Sequence, residues 1–384
     1  MSSLIVYYDE IGTKSGNRPY FEKKLVSNIR DCCPSLKEAS IRRLYGRIFI
    51  ETSEELDMEE TSVHLARVAG IASFSLAQAI ETSEEALDAA VDAIELPDGV
   101  STFKVDTRRS EKRFPLTSVE VNQRLGARLQ ARSGWKVNLS APDFTFHVDI
   151  SQQGTFVYCG KQKGLGGLPV GSNGKLVSLM SGGLDSPVAA YKMFRRGCKV
   201  IFVHFHNYSA DARQVREKVV ELVDQLARFQ STSKLHLVPF AMLQQALVTV
   251  VPPEARMVAY RRLMFRIAET ILEKEGAKGF ITGDSVGQVA SQTLENLNVI
   301  YDATTYPIFS PLIGDDKNTI TNMSKQIGTY EISIKPYDDC CTFLVAKHPQ
   351  TKMRLKDALR YEDRFDKEKY CSEALEETEV LEIG

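Results

Sequence analysis

The sequence predicts an α/β protein in which a parallel, Rossmann-like sheet fills the C-terminal half and two smaller α+β units precede it. Three observations carry this expectation. From residue 176 onward, short near-continuous apolar runs alternate with helical patterns, as in a parallel sheet covered on both faces. The first of these runs, KLVSLM, breaks into Ser181-Gly182-Gly183 and then a helical pattern from Asp185, so strand passes to helix through a glycine turn. A glycine-rich stretch with no apolar periodicity, 164–175, separates this half from the rest. The expected division is 1–75, 76–165, a linker over 166–175, and 176–384.

Within 1–75, LIVYY reads as a strand and FEKKLVSNIRDC as a helix. RRLYGRIFIET reads as one strand containing Gly46, and TSVHLARVAGIASFSLA as a helix. In 76–165, ETSEEALDAAVDAI is a helix with acids in its first turn, and STFKVDTRR is an alternating strand. FPLTSVEVNQRLGARLQ is a helix opening at Thr117-Ser118. Strands follow in VNLSAPDFTFHVDIS and GTFVYC. Beyond the linker, strands are expected at KLVSLM, KVIFVHFHN, KLHLVPF and KGFITGD. Helices follow each of them, the last being VGQVASQTLENL.

Seven cysteines, an odd number spread over 384 residues, argue against a disulfide framework and favour a reducing cytoplasm. No apolar run approaches the ~18 residues of a membrane span, and the N-terminus has no secretory pattern. Net charge is −2, yet it is unevenly placed. Residues 51–100 hold thirteen acids and one base, Arg67, whereas 101–136 are rich in Lys and Arg. A basic block of this kind is either a solvated helix surface or the footprint of a polyanion.

The turn after KLVSLM carries the clearest chemistry. Adjacent glycines let backbone N–H groups converge on a ligand, and the following helix points its positive end at the same place. Ser181 and Ser186 add hydroxyls, and Asp185 is placed to orient Mg2+ or a nucleotide hydroxyl. The turn is neither a Walker A loop nor a dinucleotide fingerprint, since G-x-x-x-x-G-K-[ST] and G-x-G-x-x-G are both missing. Ligands of such sheets lie beyond the C-terminal strand ends. The ends here are Ser181–Ser186, His204-Phe205 and Gly283-Asp284. Near them the sequence offers Gln288 and Gln292, Arg261 in YRRLMFR, and Lys317 in a loop before a helix. Cys340-Cys341, flanked by Asp338, Asp339, Pro336 and Pro349, reads as a loop of thiols rather than a metal site, because no partner pair stands at ligand spacing.

SGGLDS resembles the PP-loop of the ATP pyrophosphatases, which cleave ATP between its α and β phosphates and adenylate a substrate. FKVDTRRSEKRFPLTSVEVN…VNLSAPDFTFHVDI is similar to a THUMP domain, an RNA-binding module. GTKSGNRPYFEKKL resembles the N-terminal ferredoxin-like domain of tRNA 4-thiouridine synthetases, although Tyr7-Tyr8-Asp9-Glu10 stands where their usual opening is Arg-Tyr-Gly-Glu. With GLGGLPVGSNGK, GQVASQT and DDK…PYDDCC, the resemblance to the tRNA 4-thiouridine synthetase (ThiI) family covers essentially the whole chain.

That resemblance implies an enzyme that adenylates uridine 8 of tRNA and replaces O4 with sulfur from a cysteine persulfide. It implies ATP and Mg2+ as cofactors, tRNA and a cysteine desulfurase as partners, and a homodimer. Asp185, Lys317 and Cys340 are the implied catalytic residues. Leu179, Met180, Ser181, Gly182, Gly183, Asp185, Ser186, His204, Phe205, Arg261, Gly283, Gln288 and Gln292 are the implied nucleotide contacts. Arg108, Arg109, Lys112, Arg113 and Arg128 are the implied RNA contacts. The chain given ends too soon after Cys341 for the rhodanese domain of some members, so either Cys340 is expected to receive sulfur directly from a cysteine desulfurase, or another cysteine, Cys341, Cys198 or Cys371, to resolve the intermediate. Two other readings stay open: a PP-loop tRNA modifier of the 2-thiouridylase type, and a tRNA-binding protein with a vestigial ATP site.

Overall fold

A computed structural model describes residues 2–207, 212–336 and 346–384, with side chains omitted for 212–215. The chain forms two compact units, Met1–Gly167 and Leu168–Gly384.

The first unit is built on one nine-stranded sheet. In chain order its elements are β1 (Ser2–Tyr7), α1 (Arg18–Cys32), β2 (Ser40–Leu44), β3 (Arg47–Thr52), α2 (Met58–Leu65), β4 (Ser73–Ile80) and α3 (Glu84–Asp92). They continue with β5 (Thr102–Arg109), α4 (Ser118–Ser133), β6 (Lys136–Val137), β7 (Phe144–Ser151), β8 (Gly154–Cys159) and β9 (Gln162–Lys163). The sheet order is β2-β3-β1-β4-β8-β7-β5-β6, with β9 on β4. The strand expected across Gly46 is in fact a hairpin. Gly46 has φ +80°, which a tight turn accepts and a strand interior does not, so β2 and β3 fold back on each other.

The helix expected to run through 61–77 stops at Leu65, and its second part is β4 instead. Gly70, at φ +103°, lies between the two, and strand partners wait on both sides. Ser73–Leu76 pair with β1 while Ala77–Ile80 pair with β8, so this strand joins the two sequence-defined α+β regions into one sheet. A buried polar group spans the same junction: Asp149 on β7 accepts from Tyr7 at 2.9 Å and pairs with Arg47 at 2.6 Å. Helix α4 begins with a reciprocal capping box between Thr117 and Glu120.

The second unit runs β10 (Lys175–Leu179), α5 (Asp185–Phe194), β11 (Lys199–His206), α6 (Ala212–Ala227), β12 (Ser233–Pro239), α7 (Ala241–Val250) and α8 (Arg256–Glu275). It continues with β13 (Phe280–Ile281), α9 (Leu294–Tyr301), β14 (Ile308–Phe309), α10 (Lys317–Gln326), α11 (Tyr330–Ser333), α12 (Leu355–Glu362), α13 (Lys367–Glu376) and β15 (Glu379–Ile383). The sheet order is β14-β13-β10-β11-β12-β15. All pairs are parallel except β12 with β15. Helices α5, α6, α10 and α11 pack together as one layer, and α7, α8, α9, α12 and α13 as another. The strand order reverses between β10 and β13, each reached from a different side of the chain. Doubly wound sheets bind ligands at that switch point, outside the carboxyl ends of the strands. No described helix is long and apolar enough to cross a membrane.

Candidate active site

The turn from β10 to α5 lies at the switch point. Ser186 Oγ accepts from the Ser181 amide at 3.0 Å, and Ser181 Oγ accepts from the Gly183 amide at 3.3 Å. The two hydroxyls thereby hold the turn closed without occupying the helix end. Helix α5 has no side-chain cap, so its first N–H groups, normally satisfied by a capping side chain, are left for an anion. His204, buried at the end of β11, has Nδ1 2.9 Å from the Met180 carbonyl and so sets the neighbouring strand end against the turn. Phe205 beside it is buried in the core.

Asp185, the first residue of α5, is held from both sides. Lys317 Nζ donates to its Oδ1 at 2.9 Å, and Gln288 Nε2 donates to its Oδ2 at 2.8 Å. Lys317 is exposed at the start of α10, where Asp316 caps the helix by accepting from the Thr319 amide. The structure thus joins three residues that are far apart in sequence.

The helix expected from 286 onward starts only at Leu294, with Thr293 as its cap. Gly287, at φ +76°, interrupts it, and Gln288 sits in a turn rather than one helical turn before Gln292. Both amides face carboxylates: Gln288 faces Asp185, and Gln292 Nε2 donates to Asp284 Oδ1 at 3.1 Å. Asp284 also accepts from Arg261 at 2.7 Å and Tyr301 at 2.8 Å. Burial works against its ionisation, but the Arg261 guanidinium and these donors outweigh it and hold the carboxyl below the usual range. In the sequence Asp284 stands only as a strand end, and no local signal marks its partners. Gly283 abuts the turn directly; a Cβ there would lie 2.8 Å from the Ser186 nitrogen.

Cys340 and Cys341 lie outside the described residues. The segment leading to them is anchored: Lys218, buried on α6, donates to the carbonyls of Ser333 and Lys335, and Ser333 Oγ donates to the Gly183 carbonyl at 3.3 Å. Among the other thiols, Cys198 immediately precedes β11, at the edge opposite the turn, and burial raises its pKa. Cys371 is on α13, with its thiol pushed up to about 11 by burial. Burial disfavours the thiolate form at both positions.

The basic block divides in two. Arg124 and Arg128 on α4 pair with Glu84, Asp88 and Asp92 on α3, an ion-pair ladder between the two helices. Arg109 is half-buried and donates to the carbonyl of Phe114 at 2.9 Å. Arg108, Lys112 and Arg113 are exposed.

A family model described as thiamine biosynthesis protein (ThiI) matches residues 171–366; models of the ThiI ferredoxin-like domain and the THUMP domain match 3–75 and 81–159. The probable tRNA sulfurtransferase of Thermoanaerobacter pseudethanolicus is 41% identical over 382 residues, covering 99% of each chain. That of Thermus thermophilus is 40% identical over 378 residues, 98% of this chain and 93% of the relative. A crystal structure of a 4-thiouridine synthetase–RNA complex with bound ATP aligns over 100% of both chains with a TM-score of 0.87 at 34% identity. A structure from Pyrococcus horikoshii, at 27% identity, covers 85% of this chain and all of its own with a TM-score of 0.64. From a PP-loop, a THUMP region and likeness along its whole length, the chain belongs to the ThiI family of tRNA sulfurtransferases.

Proposed function

We propose that the chain transfers sulfur to tRNA at the expense of ATP, converting uridine 8 to 4-thiouridine. The observation that carries this reading is the uncapped start of α5 with Asp185 held between Lys317 and Gln288, at the switch point of a parallel sheet. Backbone N–H groups of the turn at 181–186 bind the pyrophosphate of ATP. Among the described residues no cluster of three or more His, Cys, Asp or Glu side chains cages a metal. The single carboxylate of Asp185 beside the turn at 181–186 suits Mg2+, which is commonly held by one or two carboxylates together with substrate phosphates. Asp185 would hold the ion, whose chemistry is to neutralise phosphate charge.

O4 of the uridine attacks the α-phosphorus and pyrophosphate leaves, with Lys317 offsetting the developing charge. The terminal sulfur of a Cys340 persulfide then attacks C4, and AMP departs with the former O4. Cys341 attacks the Cys340 sulfur, leaving sulfur on C4 and a disulfide that an external thiol reduces. A cysteine desulfurase supplies the persulfide, the exposed Arg108, Lys112 and Arg113 contact tRNA phosphates, and the enzyme works in the cytoplasm as a homodimer.

Pyrophosphate release that depends on tRNA tests the ATP half of this scheme. Asp185→Asn is expected to slow it by about a hundredfold or more, as loss of a group acting on transition-state charge does. A rate equal to wild type would overturn the assignment. Mapping the thiolated nucleotide separates uridine 8 from a 2-thiouridine target.

A further inference from the structure

We propose that Asp284 is a positioning residue: it touches no substrate, but sets both Arg261 and Gln292 toward ATP. The inference rests on the reading that these two residues face the nucleotide.

Asp284 follows Gly283 just beyond β13, and its side chain is 3% exposed. A buried carboxylate is costly unless it is paired and hydrogen-bonded. Here three donors reach it from three elements: Arg261 from α8, Tyr301 from the end of α9, and Gln292 from the turn before α9. Tyr301 is in turn 2.7 Å from Ser310 Oγ, which is 2.9 Å from Thr282 Oγ1, so the tyrosine is itself braced. Such an arrangement leaves the carboxylate no freedom to turn away from any of the three.

The consequence for Gln292 follows from the chemistry of its partner. An ionised carboxylate only accepts, so the amide must turn Nε2 toward Asp284. Its Oε1 is then committed as an acceptor, and among the described residues that atom is buried with no partner. Gln292 as a whole is 9% exposed. A buried acceptor left unmade is expensive and marks a place where a donor is missing. ATP carries donors of one kind on its ribose and another on its adenine amine; either satisfies Oε1. For Arg261, one Nη fixed on Asp284 at 2.7 Å orients the rest of a rigid, planar fork.

The test uses the full-length chain and tRNA-dependent pyrophosphate release, varying ATP and tRNA separately. Asp284→Asn puts a donor among three donors, and is expected to raise KM for ATP about tenfold or more, the worth of a charge-assisted hydrogen bond. KM for tRNA should stay within about twofold, because nothing near the basic block changes. In an Arg261→Ala/Gln292→Ala background, adding Asp284→Asn should change KM for ATP by less than about twofold, since the residues it acts through are gone. If the Asn variant is not recovered folded, Asp284→Ser replaces both carboxylate oxygens by one shorter, uncharged hydroxyl and is held to the same split.

A rise in both KM values together with a lower melting temperature would make Asp284 merely structural and overturn the proposal. So would an unchanged KM for ATP in Asp284→Asn while Arg261→Ala raises it. If Arg261→Ala and Gln292→Ala both leave KM for ATP unchanged, the reading that these two residues face the nucleotide fails, and the proposal falls with it.

Discussion

Gly283 shows how a single atom can govern the site. With a Cβ 2.8 Å from the Ser186 nitrogen and 2.9 Å from the Asp185 carbonyl carbon, an alanine would meet backbone, which cannot swing aside as a flexible side chain can. Gly283→Ala is therefore expected to push the end of β13 away from α5, costing about 1–3 kcal/mol of stability. It should also abolish most tRNA-dependent pyrophosphate release. Thermal melting and the release assay check this, and an alanine variant with wild-type activity would show that the close approach is dispensable. The same scale marks what was legible in the sequence. The turn at 181–186 could be read because its glycines, hydroxyls and flanking strand are local to one another. The grip of Gln288 on Asp185 joins residues 103 positions apart, and the convergence on Asp284 joins three elements. No window of sequence contains such pairs.

At the scale of elements, the acidic and basic blocks that look like separate features of the sequence are partly one structure. Helices α3 and α4 pack so that Glu84, Asp88 and Asp92 face Arg124 and Arg128. Their charges cancel locally, while Arg108 at the end of β5 and the following Lys112 and Arg113 remain exposed. Removing one phosphate contact should lower the salt dependence of tRNA binding by about one unit of slope. Arg108→Ala is expected to do so, and Arg128→Ala to leave both affinity and slope nearly unchanged. Filter binding across a salt series reads both. An equal loss for Arg128→Ala would mean that the ladder opens to meet RNA. Where element prediction failed, the cause was either glycine or pairing. Positive φ at Gly46 and Gly287 turned an expected strand into a hairpin and an expected helix into a turn. Strand β4 was drawn from a helical pattern by partners on both sides. Strand β15 escaped notice because a short, largely exposed edge strand has little periodicity, and it is defined by antiparallel pairing to β12.

At the scale of the molecule, the alternation of buried strands and helices after residue 176 was enough to place the ligand at the strand ends, because a parallel sheet has one carboxyl edge and one switch point. What alternation cannot convey is strand order, and it is the order β13-β10-β11 that brings the Gly283 segment, the PP-loop and His204 side by side.

ATP activation and a tail cysteine are proposed to act in sequence on one tRNA base. Single-turnover thiolation of unmodified tRNA, with ATP, Mg2+ and a persulfide donor, tests it most directly when wild type is compared with Cys340→Ser and Cys341→Ser. Cys340→Ser is expected to form no 4-thiouridine, read by its near-ultraviolet absorbance, while Cys341→Ser is expected to stall with the tRNA disulfide-linked to Cys340 and to release 4-thiouridine only when an external thiol is added. Thiolation by Cys340→Ser at the wild-type rate and extent with the same donor would overturn this order of events.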